Sequence, residues 1–286
     1  MNIIIERLLH IDACLENCTY SPCYSVYTSS GIFVVPCGVQ QVRSLAVGGG
    51  SGGMNGDFGG GGSGYVRSGD FAVSPLQWIQ VTVGTGGAGS SAVYGLVAAD
   101  QNAQAGGTSS FGTYLSAAGG NGYTGSSFLS GIPGGSGGGE GCGCDPPLTG
   151  LSGNGGTDGS SGAFATPTTC PGWTPGTGQG PFTPYLQIFT LNLLKPGAGG
   201  KGNIVNPYGL NGLSGNWQPG GGGGGGILLN DAGPKGQAGT GLYSYGFGGF
   251  GYGGGGGAGG VYWHAGDSSV RYAGGRGADG IVYVEW

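Results

Sequence analysis

The side chains able to do chemistry are few and far apart. The two histidines, His10 and His264, lie in unrelated segments. His264 stands close to Asp267 and Ser268, the residue types of a nucleophile, its base and an orienting acid. A serine nucleophile of that kind sits on a Gly-x-Ser-x-Gly elbow between strand and helix, and no such elbow frames Ser268. The 13 acids are spread too thinly to read as a carboxylate pair for glycan cleavage. Glycine runs abound, but none is followed by the Gly-Lys-Ser/Thr of a phosphate-binding loop. The expectation is a chain with no catalytic residue, no cofactor and no enzymatic activity.

Seven cysteines remain: Cys14, Cys18, Cys23, Cys37, Cys142, Cys144 and Cys170. One reading is a disulfide-stapled N-terminus with a second staple among the last three. The other is zinc, for which the spacings of Cys14, Cys18 and Cys23 are only loosely suited and neither histidine is well placed. Disulfides or free thiols are preferred to a metal site, the seven cysteines being disulfide candidates, and an odd count leaves at least one without an intrachain partner.

Aromatic residues fall in two clusters suited to binding. One lies in a Pro- and Cys-rich insertion at about 140–219 and contains Trp173, Phe182, Tyr185, Tyr208 and Trp217. The other is Tyr243, Tyr245, Phe247, Phe250 and Tyr252, interleaved with glycine. Aromatics offer large contact area at low entropic cost, so these ten are candidate display residues. The competing use is packing, as caps on a glycine scaffold or at a subunit interface.

What must position these residues is mostly glycine, 78 of 286 residues, against an ordinary usage of about 7%. Collagen is excluded, because Gly-X-Y framing never persists and only 15 prolines are present. Disorder is disfavoured by 37% hydrophobic and 10% aromatic residues with only 7% charged. An ordered scaffold remains, in which polyglycine II rods bond one another where no Cβ intervenes. Such a rod is a left-handed three-residue helix rising about 3.1 Å per residue, with no internal hydrogen bonds. A β framework brackets it. The pattern predicts strands over 24–28, 31–39, 41–47, 64–73, 76–83, 108–116 and 280–286. In 76–83, Ile79, Val81 and Val83 share one face and Trp78, Gln80 and Thr82 the other. The fold expected is mainly β, a small β-sandwich with glycine-rich excursions.

Residues 2–17 are compositionally foreign, with apolar positions Ile4, Leu8, Ile11 and Leu15 at helical spacing. They read as a short helix, either anchoring or assembling the protein or packing on its own domain. Residues 1–30 are accordingly set apart from a glycine-rich β domain over 31–286. The start lacks the charge pattern of a signal peptide, and no run of 18 apolar residues suggests membrane insertion. A net charge of −5 with eight scattered bases argues against nucleic acid.

Four segments in order resemble a known type of glycine-rich domain. They are Val-Pro-Cys-Gly-Val at 35–39 running into Gly48, Val-Gly-Thr-Gly-Gly-Ala-Gly at 83–89, Gly-Gly-Thr-Ser-Ser-Phe-Gly at 106–112, and the closing Gly-Gly-Arg-Gly-Ala-Asp-Gly-Ile-Val-Tyr-Val-Glu-Trp at 274–286. The last resembles the end of bacteriophage tail-fibre and adhesin proteins. Cys37 departs from the usual small residue at its place. The resemblance covers roughly 31–120 and 245–286. It implies a virion protein made in the host cytoplasm, homo-oligomeric, joined to other fibre or baseplate proteins. Its loops would bind a host-surface receptor, a glycan or an outer-membrane protein. A self-assembling extracellular filament is the alternative, and an ice-binding polyglycine protein ranks below both.

Overall fold

A computed structural model of the chain describes residues 23–55, 59–94, 103–123, 132, 134–135, 137–138, 194–196, 215–218, 223, 227–229, 248–249, 251–259, 261–264 and 269–286. Among these residues there is no helix, and the expected helix over 2–17 lies outside them. The strands are β1 (Tyr24–Tyr27), β2 (Gly31–Val34), β3 (Gln41–Val47), β4 (Val66–Ala72), β5 (Trp78–Thr82), β6 (Val93–Tyr94), β7 (Ser109–Phe111), β8 (Leu115–Ala117), β9 (Leu194–Pro196), β10 (Gly215–Gln218), β11 (Ile227–Leu229), β12 (Val261–His264), β13 (Ser269–Arg271) and β14 (Ile281–Glu285).

Two four-stranded antiparallel sheets form the root of the molecule, β1-β14-β3-β4 and β2-β5-β7-β8. Period-2 alternation divides their side chains. Val42 and Ala46 of β3, Val282 and Val284 of β14, Phe33 of β2, Ile79 and Val81 of β5 and Phe111 of β7 meet in one core. The alternate residues Leu45 and Val47 of β3, with Ile281 and Tyr283 of β14, form a second core on the other side of the first sheet. That sheet is therefore apolar on both faces, which explains the unbroken burial of β14. Burial, then the neighbouring Glu285 carboxylate, pushes the Tyr283 phenol far above its ordinary pKa. The second sheet shows the alternation expected for β5, with Ile79 and Val81 buried and Trp78, Gln80 and Thr82 exposed. β1 pairs with β14, and Cys23 and Trp286 bond through their backbones. Tyr24–Tyr27 thus form an edge strand of the first sheet.

Two expected strands end early for identifiable reasons. The strand over 31–39 stops at Val34, because Pro36 cannot donate a ladder bond and Gly38 turns the chain at φ 78. The strand over 108–116 is a hairpin, β7 and β8, folded at Gly112 with φ 52.

The glycine segments are rods with a three-residue repeat, legible in where their backbone bonds go. In 48–54 the amides of Gly48, Ser51 and Met54 donate to Tyr65, Gly62 and Gly59. Those of Gly49 and Gly52 donate to Gly107 and Gln104, and those of Gly50 and Gly53 to Ala278 and Gly275. Each neighbour is met every third residue, running the opposite way. The carbonyls of the same rod serve three further neighbours. Gly50 and Gly53 accept from Gly87 and Ser90, Ser51 and Met54 from Gly256 and Gly259, and Gly49 from Gly120. Rod 48–54 is therefore the axis of a hexagon formed by 59–65, 118–123, 103–107, 84–90, 274–280 and 253–259. Adjacent rim rods bond each other and run antiparallel all the way round. Examples are Gly106 to Gly120, Gly107 to Thr85, Gly277 to Gly87, Ala278 to Gly254 and Gly61 to Gly256. This is the repeat of polyglycine II.

The bundle grows out of the sheets. β3, β5 and β8 lead into rods 48–54, 84–90 and 118–123, while rods 59–65, 103–107 and 274–280 lead back into β4, β7 and β14. Rod 253–259 starts beside the sheets, where Tyr252 packs on the Leu45–Tyr283 core, and ends in β12. Glycine is required here for space. A Cβ on Gly50, Gly52 or Gly53 would come within 3.0 Å of the backbone at Gly254, Ala88 or Gly257, closer than real Cβ atoms are found. Most of these glycines have ordinary negative φ; positive values occur only at Gly38, Gly112, Gly251 and Gly253 among the described glycines.

Substituting Gly52→Ala should destabilise the domain by about 3 kcal/mol or more, because backbone rather than a movable side chain must yield. Gly31→Ala should cost less than about 1 kcal/mol, since its Cβ would rest against the Tyr27 ring at an ordinary 3.6 Å. Chemical denaturation of both variants checks the contrast.

Candidate recognition surface

At the end of the bundle away from the root sheets, a short plug closes the rods. Met54, Ala103 and Ile132 are buried together, and Tyr123 packs against them. Burial raises the Tyr123 phenol above its ordinary pKa. The axial rod ends at Asn55, whose side-chain amide donates to the Ser91 carbonyl at 2.7 Å. Two distant stretches of backbone are thus tied at one point.

Beyond the plug lies a third four-stranded sheet, β10-β12-β13-β6. Its position follows from connectivity: β6 continues rod 84–90, β12 continues rod 253–259, and β13 precedes rod 274–280. β10 comes from the long insertion and adds to the outer edge of β12. Register aligns Trp217 with Tyr262, Tyr262 with Val270, and Val270 with Tyr94. These four stand in a single row across the sheet, so the pleat assigns them to one face. His264, two residues along β12 from Tyr262, shares that face and is opposite Gly215. The adjacent rows, Asn216–Trp263–Ser269 and Gln218–Val261–Arg271–Val93, belong to the other face. Tyr94, Trp217 and Tyr262 thus come into one row from three separate segments of the chain. Asp267 and Ser268, the partners of His264 in a triad reading, lie outside the described residues.

Of the candidate display aromatics, Trp217 is brought into this row and Tyr252 is half-buried against the Leu45–Tyr283 core. Trp173, Phe182, Tyr185, Tyr208, Tyr243, Tyr245, Phe247 and Phe250 lie outside the described residues. Sequence reasoning missed Tyr94 and Tyr262. The glycine-free run Val-Tyr-Trp-His at 261–264 was the available signal, being a strand pattern in a glycine background. Cys23 and Cys37 are disulfide-bonded, whereas Cys14, Cys18, Cys142, Cys144 and Cys170 fall outside the described residues. No cluster of three metal-ligating side chains occurs among the described residues. No helix among them is long and apolar enough to cross a membrane.

A bundle of backbone-bonded glycine rods, rooted on antiparallel sheets and capped by an aromatic-bearing sheet, defines a glycine-rich structural domain. A glycine-rich domain family matches residues 28–286, and the chain belongs to that family. No curated protein matches the sequence.

The register of the distal sheet is directly testable. Backbone nuclear Overhauser contacts should link residue 217 with 262 and residue 270 with 94. Direct Hα–Hα or amide–amide contacts of 217 with 261 or 263 in place of 262 would mean a one-residue slip, which moves residue 217 to the other face of the sheet.

Proposed function

We propose that this chain is a non-enzymatic virion protein, a subunit of a bacteriophage tail fibre or tail tip that presents its distal surface to a bacterial host. The observation that supports this reading most is convergence. Strands from residues 93–94, 215–218, 261–264 and 269–271 meet at the end remote from the root. A backbone-bonded bundle that brings strands from distant segments together at one tip suits presentation to a partner. The closing segment at 274–286 resembles phage fibre proteins and supports the same reading. The partner is a glycan or an outer-membrane protein of the host, the root end joins other fibre or baseplate proteins, and the working form is a homo-oligomer in the virion.

A self-assembling filament is favoured by one specific feature. On rods 84–90 and 103–107, Thr85, Ala88 and Ala105 are exposed and their amides donate to no backbone carbonyl among the described residues, so further rods could add there. Electron microscopy of antibody-labelled phage particles and of purified protein separates the two readings, by label at tail tips or along open-ended polymers.

For the adhesin reading, fluorescently labelled protein should bind intact cells of a susceptible bacterium. Trp217→Ala combined with Tyr262→Ala should weaken that binding at least tenfold, a loss of about 1.4 kcal/mol or more, with unchanged thermal stability. Undiminished binding by the double variant would remove the aromatic row from the mechanism.

A further inference from the structure

The end opposite the distal tip carries an unexplained apolar corner. Trp78 is 60% exposed, and Ile32 and Leu76 are each 49% exposed. They are neighbours by bonding and register. Val34 pairs with Trp78 across β2 and β5, Ile32 lies two residues along the same face, and Leu76 donates its amide to Val35 at 2.9 Å. The turn that holds Leu76 is unusual. Ser74-Pro75-Leu76-Gln77 closes with Gln77 donating to the Ser74 carbonyl at 3.1 Å, with proline at its second position. Its third position has φ 62, the place where a type II turn wants glycine. A chain with 78 glycines puts leucine there instead. The leucine is strained in its backbone and its side chain is left half in water, so the fold of the described residues gains nothing from it.

The chain outside the described residues supplies a complement. Residues 1–22 join the structure at Cys23, which is bonded to Trp286 at this same end. Trp286 in turn packs on Phe33, the β2 residue between Ile32 and Val34, with ring centroids 5.3 Å apart. The linker from 18 to 22 is long enough to span roughly 15 Å. Ile4, Leu8, Ile11 and Leu15 recur at the spacing of one helical face, and an apolar face of that kind needs cover. We propose that residues 2–17 of the same chain dock this stripe on the corner formed by Ile32, Leu76 and Trp78, with Leu76 kept in its strained turn as the anchor. Attachment close to the corner gives an effective concentration that favours the chain's own segment over a second copy.

Hydrogen exchange on the full-length protein tests this with two variants. Leu76→Gly relieves the turn and removes the anchor, so the glycine-rich domain should keep or gain thermal stability while exchange in residues 2–17 accelerates at least tenfold. Leu8→Asp should accelerate exchange in the same segment and leave the domain's melting temperature unchanged. Wild-type residues 2–17 exchanging at the rate of an unstructured peptide would overturn the proposal. So would protection unaltered by both variants. Protection that fades on dilution would assign the docking to a second copy and overturn the intramolecular form.

Discussion

The architecture depends on one steric condition: between neighbouring rods there is no room for a β-carbon. Where it holds, backbones approach closely enough for the N–H of one rod to reach the C=O of the next. A three-residue helix has no hydrogen bonds of its own, so every buried backbone group in such a rod must be satisfied from outside. The axial rod 48–54 meets that demand by donating to three antiparallel neighbours and accepting from three parallel ones. Glycine makes this possible and also makes it costly, since it surrenders more backbone freedom than any other residue on folding. The two root cores, with Phe33, Phe111, Leu45 and Tyr283 among their members, supply hydrophobic burial that offsets the cost.

The rods inherit their order from the sheets. Because β3, β4 and β14 are neighbours in one sheet and β5, β7 and β8 lie in the other, the rods that extend from them start already arrayed in two layers. Antiparallel pairing in the sheets becomes antiparallel alternation around the hexagon. Function then follows from position. Side chains are confined to the two ends and to rim positions such as Arg276 and Asp279, which form an exposed ion pair at 2.6 Å. The interior has almost none to offer. One exception is Ser51 in the axial rod, whose hydroxyl is absorbed by Gly62, donating to its carbonyl and accepting from its amide.

Much of this was legible in the residues. The alternation in 76–83 predicted the two faces of β5, and the glycine count together with the hydrophobic content required packed rods rather than coil. Strand ends were harder, because Gly112 in a β-rich run signals either a bulge or a turn, and only the pairing of Phe111 with Leu115 decides it. The hexagon was not legible at all. Glycines look alike in sequence, and which rod meets which is fixed by the order of strands in two sheets, a long-range property. The distal aromatic row was hidden for the same reason: Tyr94, Trp217 and Tyr262 become neighbours only through pairing of strands from distant segments.

Amide hydrogen exchange resolved residue by residue tests the rod bundle most directly. In the axial rod, the amides from 48 to 54 should all be slow, since each has a partner. In rim rod 84–90, Gly84, Gly87 and Ser90 should be slow and Thr85 and Ala88 fast, a repeat of three. Slow and fast amides alternating with a repeat of two would make these segments β-strands. Uniformly fast exchange would make them coil, and either result would contradict the account.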